Sequence, residues 1–413
     1  MDQKKPDPIA AIRLPEYRNL LMGRFLFIMG LRMMGSLVGW WIYNLTDEPF
    51  AIGLIGLSEV IPAVSFSLYA GHIIDISEKR KVLLRGVFLY GIAVLVMIYL
   101  SSNLASHHFS NHIIAICIYV VIFFTGIIRS FSGPVFGVLL AYIVPREHLQ
   151  NATTWNQGTW LTASVTGHAT GGLLIAAIGI HNTLIFIVSL IIVSFTFFLR
   201  LSAKPSLNTG VEKKTFDSVK EGLRFVYSTK ELLGAISLDL FAVLFGGAVA
   251  MVPVYARDIL KVGPQGFGLL NGASDIGSII IVVMLTMFPL KKKQGRTLLF
   301  AVAGFGTCII IFGLSKLFWL SFVSLMIAGM MDGISVVVRG TITQLKTPDH
   351  MRGRVMSVNS MFINSSNEFG QFESGLTAKL LGTVTSVIFG GCMTLVVVGS
   401  TWIKAPTLRK MEY

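Results

Sequence analysis

The chain has 413 residues, of which 53% are hydrophobic and only 13% are charged. Soluble domains carry about 25% charged residues, so this composition excludes a soluble globular protein and indicates many membrane-spanning helices. The net charge of +13 arises from 34 Lys and Arg against 21 Asp and Glu. Most of these basic residues lie at the termini and in alternate loops, a pattern that orients a membrane protein and does not indicate a nucleic-acid partner.

The apolar segments define about twelve spans, at about 20 residues for each helix that crosses a bilayer. Because the basic loops alternate, we expect a multi-pass inner-membrane protein with both termini in the cytoplasm. The predicted spans cover residues 20–44, 51–74, 82–101, 113–139, 156–178, 182–199, 232–255, 265–289, 297–314, 318–340, 356–379 and 383–403.

The first two predicted spans carry Arg32 and Glu59 near their centres. An isolated charge at mid-membrane costs at least about 2.5 kcal/mol, so we expect these residues of adjacent helices to form an ion pair. Two interpretations remain open. The pair either holds the two helices together, or opens when Glu59 is protonated and frees Arg32 for an anionic substrate.

A polar loop follows the second span, with the sequence Gly71-His-Ile-Ile-Asp75-Ile-Ser-Glu78-Lys79-Arg80-Lys81. Glycine permits close helix packing, Asp75 suits a helix N-terminus or an arginine, and the basic cluster suits the cytoplasmic face. The motif resembles the loop 2–3 signature of the major facilitator superfamily, Gly-x-x-x-Asp-Arg-x-Gly-Arg-Arg. Ile76 replaces its first arginine and Glu78 its second glycine, and Glu78 followed by Lys-Arg-Lys is closer to the drug:proton antiporter branch that includes the enterobactin exporters.

The resemblance implies an all-α protein with the major facilitator fold, in which two pseudo-symmetric six-helix bundles alternate access to a central site. It implies a proton-coupled secondary transporter of a small molecule, a drug-like compound or a siderophore, that moves it outward. We expect a monomer that uses protons, sits in the lipid bilayer and needs no cofactor or metal.

The fifth span contains Gly167-His168-Ala-Thr-Gly171-Gly172, which resembles the family's antiporter motif Gly-Pro-x-x-Gly-Gly with His168 in place of proline. The small residues Gly167, Gly171 and Gly172 predict tight packing against a helix of the other half. We assign His168 to the same packing role, through a hydrogen bond to a neighbouring helix. The alternative is a titratable group in the transport pathway.

The longest polar stretch, residues 202–230, separates six predicted spans from six. Within it Phe216, Val219, Leu223 and Val226 recur at helical spacing, which predicts an amphipathic helix on the inner leaflet; a solvated linker helix is the alternative. Pro145 and Pro348 open similar short motifs 203 residues apart, as expected of duplicated halves. The predicted organisation is an N-terminal bundle over 1–200, a cytoplasmic linker over 201–231 and a C-terminal bundle over 232–413.

The second half also carries embedded charges. Asp332 and Arg339 are seven residues apart on the tenth span and therefore share a helical face, while Asp239 lies in the seventh span. The eleventh span is strongly polar, which predicts a water-filled cavity beside it. For proton coupling we expect Glu59, Glu368 and Asp239. The expected substrate-binding residues are Arg32, Glu59, Asp332, Arg339, Asn364, Asn367, Glu368 and Glu373. Asp275 in the eighth span is a further embedded charge. Arg24 is expected to extend to the inner interface and Arg129 to lie towards the middle of a long fourth span, and a structural role is open for either.

The loop after the tenth span, Gln344 to Val355, also resembles the antiporter branch and includes Arg352-Gly-Arg354. In that family such loops gate the cytoplasmic side. The expected gate therefore consists of Gly71, Asp75, Lys79, Arg80, Arg352 and Arg354, with Asp75 meeting the start of the eleventh helix and a nearby arginine.

Other classes of membrane protein fit the sequence less well. A channel requires ring-like selectivity features, and no hydrolase triad, metal-protease motif or phosphate-binding loop is present in the sequence, so we expect neither a channel nor an enzyme. The remaining alternatives to an exporter are an importer of a nutrient or metal chelate and a non-transporting membrane scaffold.

Overall fold

The described part of the chain contains twelve membrane-length helical spans. The computed structural model describes residues 9–203, 215–288, 290, 292–348 and 351–412, and within them every regular element is helical. Ten segments in these ranges are long and apolar enough to cross a membrane. One of these ten segments, Arg146–Leu199, contains both the fifth and the sixth span. The polar helix Arg352–Leu381 is a further span, so that the total is the twelve spans predicted from the sequence.

The spans follow the chain in two groups of six. The first group consists of the helices Pro15–Thr46, Pro49–Ile76, Lys79–Leu100 and Asn111–Ile143 and of the fifth and sixth spans within Leu149–Leu199. The second group consists of a seventh span that begins as Lys230–Phe245 and the helices Gly263–Met287, Gln294–Leu314, Phe318–Lys346, Arg352–Leu381 and Thr383–Lys404. The first span packs most extensively on the Leu149–Leu199 helix, and the eighth on the tenth.

Glycine separates the fifth span from the sixth. Gly179 has a φ of +78°, a conformation that glycine adopts without the steric cost that a side chain would impose. The two spans are therefore joined through a break in the helix at this residue. The sequence alone predicted this boundary at 178–182.

The seventh span is interrupted, which the apolar pattern did not predict. Its α-helix ends at Phe245, a 3₁₀ segment follows over Gly247–Met251, and a π-helical turn covers Tyr255–Ile259. A Cβ at Gly247 would lie 2.5 Å from the carbonyl of Gly370 on the eleventh span. Glycine at this position lets the two backbones touch, so the interrupted segment lies at a close helix crossing.

The linker contains the helix Thr215–Ser228, in the region where the sequence predicted one. Val226 is buried in a cluster with Val355 and Val358 at the start of the eleventh span, and Leu223 packs against the same cluster. The apolar side of this helix therefore faces protein at these positions, which differs from the predicted contact with lipid. The side chains of Phe216 and Val219 lie outside the described part of the structure.

Candidate functional site

The two groups of spans meet closely on one side of the molecule, opposite the chain termini; we call it the far side, and the other the termini side. A Cβ added to Gly53 on the second span would lie 3.0 Å from the Cα of Gly375 on the eleventh. One added to Gly172 on the fifth would lie 2.3 Å from the Cα of Gly268 on the eighth. Only glycine permits such backbone contact, so these four residues seal the far side.

Polar contacts reinforce the far-side closure between the first and seventh spans. Arg257 pairs with Asp47 at 2.6 Å and lies over the ring of Tyr43, 4.0 Å from its centroid. Tyr43 in turn donates its hydroxyl hydrogen bond to the carboxylate of Asp258. Because these residues come from both groups of spans, the contacts must break before the far side opens.

The spans diverge towards the termini side. A Cβ added to Gly133, Gly137, Gly158 or Gly340 would meet no atom within 4 Å, and these glycines lie on the fourth, fifth and tenth spans. The side chain of Arg129, one turn before Gly133, is 48% exposed. The two groups of spans are thus in backbone contact at the far side, and towards the termini side there is open space around these four glycines.

The embedded ion pair of the first group joins Glu59 to Arg129, on the second and fourth spans. The expected pairing of Glu59 with Arg32 is therefore wrong. The reason is the close contact of the second and fourth spans, where Gly126 packs on Pro62 and on the backbone of Glu59. This crossing brings Arg129, one turn beyond Gly126, to the Glu59 carboxylate.

Arg32 lies beside this pair and stacks on an aromatic ring. Its guanidinium is 5.0 Å from the ring centroid of Trp160 on the fifth span. It interacts electrostatically with Asp275 and Glu368 across the boundary between the two groups of spans. Within the described residues, no carboxylate lies within ion-pair distance of Arg32.

His168 contacts the other group of spans through Asp275. The His168 Nδ1 atom is 2.6 Å from Asp275 Oδ2, and the Ser164 hydroxyl donates a 3.0 Å hydrogen bond to the same oxygen. The sequence identified both charges separately, but did not place Asp275 in the site. The available signals were an embedded carboxylate in the eighth span and a histidine where the related motif has proline.

The embedded ion pair of the second group joins Asp239 to Arg339, on the seventh and tenth spans. Both residues are buried, with 6% and 5% of their surface exposed. Asp332 does not pair with Arg339; it lines, with Asp239 and Ser335, a cavity of about 10 Å³, room for the centre of about one water molecule. Asp332 and Arg339, which were predicted to share a helical face, therefore have different surroundings: Arg339 is in an ion pair and Asp332 lines a small internal cavity.

Polar side chains of the eleventh span bond mainly along their own helix. Asn367 and Ser366 both donate hydrogen bonds to the Ile363 carbonyl, at 2.9 and 3.0 Å. Glu368 and Glu373 are partly buried, and the backbone carbonyl of Glu368 faces Gly56 on the second span. The expected residue Asn364 has a side chain outside the described part.

The glycines of the fifth-span motif serve two different contacts. Gly167 and Gly171 pack on the first span, at Arg32 and Met33, within the same group of spans. Gly172 alone packs on the eighth span. Packing against the other half was expected of all three, and the first span is instead the neighbour of two of them.

The expected gate residues make local contacts in this form. The Lys79 ammonium donates to the carbonyls of Ile74 and Ser77 at the end of the second span, and Arg80 donates to the Leu199 carbonyl at 2.7 Å. Arg354 pairs with Glu221 of the linker helix at 2.6 Å. The described partner of Arg354 is thus Glu221. Of Gly71, Asp75 and Arg352 the structure describes only the helical backbone.

Comparison with known proteins identifies the class. The model of the Major Facilitator Superfamily matches residues 20–371, and the chain therefore belongs to this superfamily of transporters. It is a transporter and not an enzyme, and the resemblance found in the loop motifs is confirmed.

Two curated relatives cover most of the chain. The uncharacterized MFS-type transporter YfmI of Bacillus subtilis is 21% identical over 389 residues, covering 92% of this chain and 94% of the relative. The enterobactin exporter EntS of Escherichia coli is 24% identical over 347 residues, covering 83% of this chain and 80% of the relative.

Solved structures share the fold. A mutant of the nucleoside transporter NupG superposes with a TM-score of 0.75 at 12% identity, covering 94% of this chain and 99% of NupG. A POT family transporter in complex with 5-aminolevulinic acid also superposes with a TM-score of 0.75, at 13% identity, covering 95% of this chain and 96% of that transporter. At these identities the likeness concerns the fold alone.

Proposed function

We propose that the protein exports a small organic anion, drug-like or siderophore-like, across the inner membrane in exchange for protons. The observation that carries this proposal is Arg32, whose guanidinium lies 5.0 Å from the ring centroid of Trp160, near the boundary between the two groups of spans. Arg129 and Arg339 are each neutralised by a carboxylate, whereas Arg32 has an aromatic partner instead. A cation on an aromatic ring is suited to an anionic, aromatic ligand.

The mode of action we propose is alternating access between two units, residues 1–200 and 232–413, joined by the linker 201–231. The monomer lies in the bilayer with both termini in the cytoplasm, so that the termini side is the cytoplasmic side. In that orientation the described form has its cavity open to the cytoplasm, where an exporter loads its substrate. The far-side contacts of Arg257 with Asp47 and Tyr43 then act as the outer gate.

The cytoplasmic gate in this proposal forms in the opposite state. Asp75, Arg352 and Arg354 belong to loops of different units, and closing the termini side would bring these loops together. Arg354 would then exchange its contact with Glu221 for one with the loop after the second span. An acidic group at the start of the eleventh helix would gain about 0.3–1 kcal/mol from the helix dipole.

Export is tested by assigning a substrate and its direction of movement. A thermal-shift screen of siderophores, amphipathic cations and organic anions against the purified protein comes first. For a ligand found this way, we expect cells that lack the protein to retain more of it, and Arg32→Gln to bind it at least about tenfold more weakly than Arg32→Lys, which keeps the charge. Lower retention would instead identify an importer, and no flux of any ligand in proteoliposomes would support a scaffold.

We expect proton coupling to pass through Glu59, with Glu368 second and Asp239 third. The Glu59 carboxylate pairs with Arg129, whose side chain is about half exposed, so protonation of Glu59 would release a cation that substrate can reach. Asp239 is more deeply buried against Arg339, which makes proton exchange with the cavity harder.

The coupling assignment predicts the behaviour of a neutral variant. Glu59→Gln should abolish proton-driven flux while retaining ligand binding, because glutamine cannot alternate between charged and neutral forms. The measurement is ligand-induced proton release in detergent at several pH values, with Glu368→Gln and the double variant in parallel. Unchanged proton release in all three variants would exclude both residues and leave Asp239 or Asp332.

A further inference from the structure

We infer that His168 and Asp275 form a proton-binding lock between the fifth and eighth spans, which holds the far side closed when it is protonated. The two side chains come from different groups of spans and meet at 2.6 Å. Gly172 and Gly268, one turn or more further along the same two helices, are in backbone contact. The lock therefore lies at the contact that closes the far side.

The direction of the hydrogen bond follows from the partners. An ionised carboxylate only accepts hydrogen bonds, so the His168 Nδ1 atom must carry the proton that points to Asp275. Ser164 donates to the same Asp275 oxygen at 3.0 Å and keeps the carboxylate orientated towards the fifth span. A second proton on His168 would give the donor a positive charge as well, and would turn a hydrogen bond from a neutral imidazole to a carboxylate into a stronger ion pair.

Both side chains are about one fifth exposed, so that protons reach them from the cavity. A histidine side chain changes its charge between about pH 5 and 8. Protonation would favour the closed contact of the two helices, and loss of the proton would favour their separation. This effect requires none of the three carboxylates proposed for proton coupling, Glu59, Glu368 and Asp239.

Few other charges face this pair. Arg32 on the first span interacts with Asp275, and it keeps its charge over this pH range, so its attraction does not change. Arg129 and Glu368 lie beyond Arg32, with which both interact. On the tenth span, which packs on the eighth, Asp332 lines the cavity shared with Asp239 and Arg339 pairs with Asp239. Arg257 and Asp258 contact the first span at the far end.

This lock rests on the proposed exchange of substrate for protons and gives it a direction. A proton taken up from the outside would close the far side after substrate has left. Release of that proton into the cytoplasm would weaken the contact and allow the far side to open again, with substrate bound. An antiporter requires this direction, because the bound proton then favours closure of the far side and the bound substrate favours its opening.

The test measures conformation without substrate or transport. Cysteines at Ile178 and Lys261, near the far ends of the two helices, carry spin labels in a chain whose Cys117, Cys308 and Cys392 are replaced by serine. Distance distributions are recorded in lipid nanodiscs between about pH 5.5 and 8.5. We expect the ratio of closed to open molecules to fall by about tenfold as the pH rises, the order of change expected when an imidazolium–carboxylate ion pair becomes a hydrogen bond from a neutral imidazole to the carboxylate.

Variants separate the lock from other titrating groups. His168→Gln and Asp275→Asn should remove the pH dependence, and His168→Arg, which keeps a positive charge, should hold the far side closed throughout. The matched control is His181→Gln, because His181 on the sixth span bonds to Ser101 within its own group of spans. A parent without a pH-dependent distance, or a dependence that persists in His168→Gln and Asp275→Asn, would overturn the inference. Failure to find exported substrate would contradict the proposed function but leave this result intact.

Discussion

Replacement of Arg339 by methionine is expected to destabilise the protein by about 3–5 kcal/mol, because it leaves the buried Asp239 carboxylate without its partner. Asp239 is only 6% exposed, so water cannot replace the lost guanidinium without rearrangement of the seventh and tenth spans. We expect a clear fall in the midpoint of thermal unfolding, measured in detergent by fluorescence or by loss of the monomer peak after heating.

The control is the double variant Asp239→Leu with Arg339→Met, which removes both charges at once. Replacing a buried ion pair with apolar residues of similar volume is often neutral or stabilising, so we expect most of the stability to return. Equal unfolding midpoints for the parent and Arg339→Met would contradict the buried-pair interpretation. A double variant that is stable but binds no substrate would instead assign Asp239 or Arg339 to the substrate site.

Replacement of Gly172 by valine is expected to prevent full closure of the far side. A Cβ at this position would lie 2.3 Å from the Cα of Gly268, so the fifth and eighth spans must move apart. Overpacking of this kind costs about 1–3 kcal/mol, which corresponds to about fivefold to 150-fold in the ratio of closed to open molecules. A cysteine placed at Ser36, which is 6% exposed and accepts a hydrogen bond from Asn271 of the eighth span, should therefore react faster with a membrane-impermeant thiol reagent, in a chain whose native cysteines are replaced by serine.

Gly158→Val provides the matched control on the same helix, because a Cβ at Gly158 meets no atom within 4 Å. This variant should react at the parental rate and retain transport. If Gly172→Val and Gly158→Val react alike, the Gly172–Gly268 contact does not limit opening of the far side.

Helix positions were predictable because hydropathy depends on sequence alone. A bilayer requires about 20 apolar residues in each span, and the twelve predicted segments all coincide with helices. The sequence did not predict the break in the seventh span at Gly246 and Gly247, because glycine is also frequent in continuous membrane helices.

The partners of the embedded charges were decided by tertiary structure. Sequence position gives the depth of a residue along its helix, but not the rotation of the helix or the identity of its neighbour. Glu59 was at a suitable depth for Arg32 and for Arg129, and the contact of Gly126 with Pro62 selected Arg129. Arg32 was left to stack on Trp160, which no sequence pattern indicated.

By itself, the sequence determined that the chain crosses a membrane about twelve times, which helices carry charges and which loop motifs it shares with antiporters. These properties depend on composition and on the order of neighbouring residues, because the free energy of transferring a side chain into lipid depends mainly on the chemistry of that side chain. The tertiary structure decided that His168 meets Asp275, that Leu223 and Val226 of the linker pack on protein, and that the far side is the closed one. Each of these depends on contacts between residues far apart in the chain, and such contacts are fixed only when helices pack as complete surfaces.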